Sequence, residues 1–154
     1  MGLYGSARGL AIARAAEACD GPTVMLAASA NSARQLEEEI RFYADPSLPL
    51  LSLPDRECLP YDAFSPHPDI VSARLEALYR LPQFRRGILL TSMATIMHRL
   101  PPRTFVAAHS FFVRVGDRIE TDALREQLTR VGYHAVFQVM EPGEFAVRGG
   151  LIDL

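Results

Sequence analysis

The chain has two cysteines, Cys19 and Cys58, too few and too ordinary in context for a disulfide framework or a zinc site, so a reducing, cytoplasmic setting is the default expectation. It has no run of about 18 apolar residues to span a bilayer and no basic-then-apolar N-terminus of the signal-peptide kind, and no membrane partner is expected. An excess of one charge sign is also missing. Basic residues number 16 and acidic ones 18, for a formal net charge of -2, which argues against a surface built mainly to attract phosphate backbones. Internal repeats, low-complexity tracts and like-charge blocks are absent too. What is there is ordinary globular material: 154 residues, 49% hydrophobic and 22% charged, enough for one full domain and part of another.

Leu53 to Asp69, LPDRECLPYDAFSPHPD, is the long stretch that neither a helix nor a central strand could host. Pro54, Pro60, Pro66 and Pro68 each remove a backbone donor and fix φ, so this segment is expected to run as a structured series of turns. Tyr61 and Phe64 are its apolar members, expected to pack down on the scaffold. A rigid crossover and a binding loop both remain open readings.

Before this loop, Ala7, Ala11, Ala15 and Ala18 recur at helical spacing within Ser6 to Cys19, which predicts a helix lying close on a sheet. Thr23 to Ala27 reads as a parallel strand buried on both faces. Ser32 with Gln35 fits a capping box for an amphipathic helix with Ala33, Leu36, Ile40 and Tyr43 on its apolar stripe. Leu50 to Leu53 is the next strand. After the loop, Asp69 is expected to cap a helix bearing Ile70 or Val71, Leu75 and Leu78, ended by Pro82. Gly87 to Thr91 is a further buried strand, and Ser92 caps a short helix to about Arg99. Helices alternating with short apolar strands imply a parallel α/β sheet covered on both faces over residues 1–108.

After Phe105 the pattern changes. Phe111 to Val115 is strand-like, Gly116-Asp117 is a turn, and Thr121 is expected to cap a helix with Ala123, Leu124, Leu128 and Val131, ended by Gly132. His134 to Met140 and Phe145 to Leu154 are strand candidates around a Pro142-Gly143 turn. Residues 109–154 therefore read as the start of a smaller α+β domain, and the apolar ending GGLIDL gives the chain the look of a fragment of something longer.

Gly2 to Gly9, GLYGSARG, sits where a phosphate-binding loop belongs, directly before the first helix of a parallel α/β domain. The working form is G-x-x-x-x-G-K-[ST]. Gly2 matches the first position and Gly5 lies within the loop, but Ala7, Arg8 and Gly9 stand where Gly, Lys and Ser/Thr are needed. Gly9 cannot ligate a metal, and the planar guanidinium of Arg8 is no substitute for a compact ammonium. The expectation is a helix start with no nucleotide. His67, His98, His109 and His134 lie at no metal-ligand spacing, Cys58 lacks a cationic neighbour to make it a thiolate, and Ser65, Ser92, Asp62 and Asp69 read as turn and cap residues. No catalytic residue, metal site or cofactor is expected.

Two motifs carry a resemblance. GLYGSARGLAIA is similar, position for position, to the G-V-T-G-S-G-K-T-F-T-I-A loop and helix of the excision-repair helicase UvrB, and GEFAVRGGLIDL resembles its G-T-F-R-V-R-G-D-V-I-D-I motif. With LPYDAFSPHPDIVSARLEALYRL and RRGILLTSMATIMHRL between them, the chain from Gly2 onward resembles the N-terminal UvrB-homology module of bacterial transcription-repair coupling factors (Mfd). The resemblance implies a degenerate RecA-like domain without ATPase function, followed by the beginning of an inserted domain that binds UvrA. It implies an adaptor that recruits UvrA where RNA polymerase has stalled. ATP with magnesium, RNA polymerase and double-stranded DNA belong to other domains of such a translocase. Of the UvrA-contacting residues in the family, Arg148 matches the second Arg of F-R-V-R-G, while Ala146 stands at the first. Glu144 and Phe145 are expected at the rim. The family's DNA-clamping hairpin has no room between Pro60 and the Asp69 helix. The alternative is a nucleotide-dependent helicase or translocase domain that binds DNA directly through the proline loop and Arg85-Arg86.

Overall fold

The computed structural model describes residues 2–58, 62–108, 110, 113–141 and 143–154. They fall into two units, Met1–Val106 and Ala107–Leu154. The first contains helices α1 (Ala7–Glu17), α2 (Ala30–Tyr43), α3 (Pro68–Arg80) and α4 (Met93–Met97), with strands β1 (Pro22–Ala27), β2 (Leu50–Leu53) and β3 (Gly87–Ser92); a short helix, α5 (Arg103–Ala108), runs across the division. The strands are all parallel, in the order β1-β3-β2, with Leu89 opposite both Val24 and Leu51. This is the α/β architecture expected from helices alternating with apolar strands.

Alternation along the strands sends residues to two separate cores. On one face Ala27, Ile88 and Leu90 meet Ala16 of α1 and Leu36 and Ile40 of α2. On the other, Leu51 and Leu53 meet Ala77 of α3, with Leu78, Phe84 and Leu89 packed against them. Each fully buried Ile or Leu is worth about 1.5–3 kcal/mol. β1 departs from the expectation of burial on both faces. It is an edge strand, and α3 covers the β2 side of its face, so Val24 remains 57% exposed and Leu26 is exposed beside it.

The helix ends differ from their sequence signatures in instructive ways. α2 is capped by Ser29, whose hydroxyl accepts from Ser32 N–H at 3.2 Å, so Ser32 lies inside the helix; Gln35 reaches forward to Glu39 instead of back to a cap. α3 is capped by His67, whose Nδ1 accepts from Asp69 N–H, with Pro68 at the first helical position and Asp69 in the first turn. Its buried residues are Arg74 and Ala77, whereas Val71 and Leu75 are exposed. The buried face of α1 is Gly9, Ala13 and Ala16, and Ala15 and Ala18 point to solvent. Ser92 caps α4 as expected, accepting from Thr95 N–H at 3.2 Å. Phe64, expected to pack down, is exposed; Pro60 and Tyr61 lie outside the described residues.

The second unit contains α6 (Thr121–Arg130) and strands β4 (His134–Ala135), β5 (Glu144–Arg148) and β6 (Leu151–Asp153), in the order β4-β5-β6. Thr121 is the first helical residue and Glu120 the cap, with no side-chain capping bond. The core is Leu124, Leu128 and Phe145, with Tyr133, Val147 and Ile152 against it. The strand expected over His134 to Met140 stops at Ala135, and it pairs with β5 in parallel, not as a hairpin. The hairpin lies further on. Gly149, at φ 61, breaks the strand expected over Phe145 to Leu154 and turns it back, so that Arg148 pairs with Leu151 in an antiparallel ladder. Val113 to Val115 is not a strand; Arg114 and Asp117 close a turn through Asp117 N–H to Arg114 O and Arg114 N–H to Asp117 Oδ2. Phe111, Phe112, His109 and Pro142 lie outside the described residues.

Candidate functional site: a phosphate-loop position and an arginine edge

Gly2 to Ser6 lead into α1 as expected for a phosphate loop, with Gly5 at φ 56. One donor of the loop and the space at its last glycine are taken up within the chain. Ala7 N–H, which would aim at a phosphate oxygen, donates to Tyr4 O at 3.3 Å, and Ser6 Oγ lies 3.2 Å from Tyr43 Oη of α2. Gly9 is buried against α2 so closely that a Cβ added there would fall 2.5 Å from Glu39 Cβ. The position that holds magnesium in a working loop therefore faces a helix. Arg8 is exposed, and the chain contains no lysine at all, so no ammonium from elsewhere takes the missing place. A cavity of about 500 Å³ is lined by Arg14, Glu17, Tyr43, Asp45 and Arg86.

This packing makes a direct prediction. Gly9→Ser, the change that would restore the metal-ligating hydroxyl, is expected to push α1 off α2 and cost about 1–3 kcal/mol. A urea titration checks it, and an unchanged midpoint would show that α2 yields freely.

A second polar cluster, not singled out by sequence, sits at the carboxyl ends of β2 and β3. Thr91 Oγ1 donates to Leu53 O at 2.9 Å, Arg74 donates to Pro54 O, and Asp55 accepts from Thr95 Oγ1 at 3.1 Å, Ser92 Oγ at 3.4 Å and Glu57 N–H at 3.0 Å. Together they pin the entry of the proline loop to the sheet. Burial, the largest single influence on Asp55, pushes its pKa up. The Glu57 N–H, the Thr95 hydroxyl, the His98 charge and the Ser92 hydroxyl together outweigh it and hold the carboxyl below its ordinary value. A carboxylate with a lowered folded pKa stabilises the fold above its unfolded pKa of about 3.9, and that contribution is lost as pH falls through the folded value. Wild type is therefore expected to lose more stability between neutral pH and pH about 3 than Asp55→Asn does, read from urea midpoints at the two pH values; parallel losses would contradict the assignment.

The residues expected to face a partner lie on β5. Arg148 is exposed. Its Nη2 donates to Phe137 O at 3.1 Å, and its guanidinium carbon sits 5.7 Å from the Phe137 ring centre. No carboxylate among the described residues lies within ion-pair distance of it, so the cross-strand ion pair that would explain it structurally is not made. Phe145 overturns its expectation: it points to the other face of β5 and is 2% exposed, the largest side chain of its core, so it cannot sit on a contact rim. Glu144 is half-buried, and its Oε2 accepts from Met140 N–H at 2.8 Å and Glu141 N–H at 3.1 Å. These two backbone donors, the nearer first, hold its carboxyl below the usual range. Among the described residues no group of three or more His, Cys, Asp or Glu could hold a metal ion, and no helix is long and apolar enough to cross a membrane.

Residues 111–154, which include this edge, match the family model described as the UvrB interaction domain. Across both units the chain is similar to the transcription-repair-coupling factor of Escherichia coli, 44% identical over 152 residues that cover 99% of this chain and 13% of that protein. The chain is a relative of the transcription-repair-coupling factors. The protein of that name from Haemophilus influenzae is 41% identical over 145 residues, 94% of this chain and 12% of its own length, and that from Myxococcus xanthus is 35% identical over 160 residues, 100% of this chain and 13% of its own. The chain thus spans about an eighth of the length of these transcription-repair-coupling factors, and the E. coli and M. xanthus matches take in both the loop before α1 and the arginine edge.

Proposed function

We propose that this chain is an adaptor that docks UvrA, with Arg148 as the charged centre of the docking edge and no ATPase of its own. The observation that carries the reading is an exposed arginine without a carboxylate partner among the described residues, in cation–π range of an aromatic ring within the stretch that matches the UvrB interaction domain. A guanidinium held over a ring by a cation–π contact and a hydrogen bond to the same residue keeps its remaining donors outward, suited to a carboxylate on a protein surface. The blocked contact of Gly9 with Glu39 supports the second half, a scaffold that needs no nucleotide or magnesium. Residues 1–108 are on this reading a degenerate RecA-like support, and 109–154 the beginning of the UvrA-binding domain. Hydrolysis of ATP and contacts with RNA polymerase and duplex DNA fall to other parts of a longer protein.

Titration of UvrA with the chain tests this. Saturable binding that needs no nucleotide on the chain is expected; no binding at any concentration reached, or ATP binding to the chain at micromolar concentration in calorimetry, would overturn it.

A further inference from the structure

Phe137 is 93% exposed and Met140 is 77% exposed, although both directly precede β5, whose Phe145 and Ala146 are buried. Neither belongs to the packed group around Leu124, Leu128 and Phe145, so folding does not account for them. The backbone that carries them is nevertheless tightly built. Val136 N–H donates to Phe145 O at 2.9 Å, His134 N–H to Gly143 O at 2.8 Å and Glu144 N–H to Glu141 O at 3.2 Å. The Glu144 carboxylate takes the N–H groups of both Met140 and Glu141, and Arg148 holds the Phe137 carbonyl. β5 thus ties the 136–141 segment at both ends, at residues 136 and 137 and at 140 and 141, and those ties do nothing for the exposed side chains except fix where they point.

A loop ordered before its partner arrives loses little entropy on binding, and exposed aromatic and Met side chains beside an Arg are the composition of an interface hot spot. We propose that Phe137 and Met140 are the apolar anchors of the docking edge, received by an apolar depression on UvrA that lies beside the carboxylate meeting Arg148. This rests on the UvrA reading above and extends it to two residues that the motif resemblance does not mark. Duplex DNA fits this surface poorly, because the carboxylate of Glu141 stands on the same loop. Glu144 acts here as a positioning residue, holding the loop without touching the partner.

The experiment is a titration of UvrA with the 154-residue chain and four variants. Phe137→Ala and Met140→Ala are each expected to weaken binding, Phe137→Ala by about tenfold or more, with thermal midpoints unchanged because both side chains are exposed. Glu144→Gln is expected to weaken binding less and to speed hydrogen exchange at the Met140 and Glu141 amides, a readout that loss of a contact residue would not move. Phe137→Ala and Met140→Ala binding within twofold of wild type, while Arg148→Glu loses binding, would overturn the anchors and leave the docking edge standing. Failure of the wild-type chain to bind would remove both. A loss of duplex DNA affinity in Phe137→Ala with UvrA binding intact would reassign the surface to nucleic acid.

Discussion

Arg148→Glu is expected to weaken binding to UvrA on the order of 100-fold while leaving the chain folded. Three losses add in the variant. The planar fork that meets a carboxylate is gone, a like charge is set against that carboxylate at a cost of several kcal/mol, and the Phe137 ring loses its cation–π contact. Within the free chain the change removes one exposed hydrogen bond to Phe137 O, a cost of roughly 0.5–1.5 kcal/mol that the unit is expected to survive. Arg148→Lys separates charge from shape: an ammonium keeps the attraction but presents no fork, so affinity between wild type and Arg148→Glu is expected. Equal affinities for all three proteins would take Arg148 out of the interface.

Phe145→Ala is expected to act in the opposite way, on stability rather than on binding surface. The side chain is almost wholly enclosed with Leu124 and Leu128, and deleting a buried aromatic costs about 3–5 kcal/mol through lost transfer energy and the cavity left behind. A unit whose core rests on so few buried side chains has little reserve. Urea unfolding is expected to show the α6–β5 unit melting well before the parallel-sheet unit, and a smaller shift for Phe145→Leu. If Phe145→Ala left the unfolding profile unchanged and weakened UvrA binding alone, Phe145 would be a contact residue after all.

These two neighbours on one strand mark where sequence reasoning reached and where it stopped. Alternation places residues 145 and 148 on opposite faces of β5, yet Arg148 as a contact and Phe145 at its rim were expected to face the same partner. Which face was inward depended on α6, through Leu124 and Leu128, and a motif does not carry that distant pairing. The hairpin was misplaced for a related reason. Two glycine-bearing turn signals lie close together, at residues 142–143 and 149–150, and the parallel pairing of β4 with β5 decides in favour of the second. In the first unit the apolar runs were legible because the strands are short, continuous and punctuated by caps. The edge position of β1 was not, since strand order is set by crossovers and not by local composition. The loss of phosphate-binding letters was legible in the loop. Its cause was not, because Gly9 is explained by Glu39, thirty residues away on another helix. Likewise Asp55 draws its partners from Thr95 and from Ser92, which a local reading assigned to a cap alone.

The most direct measurement is hydrogen exchange of the whole chain with and without saturating UvrA. The account predicts slowed exchange in the segment 134–148 and no change along α1 and the loop at residues 2–9. Protection concentrated at the phosphate loop and the start of α1, with the 134–148 segment unaffected, would contradict it.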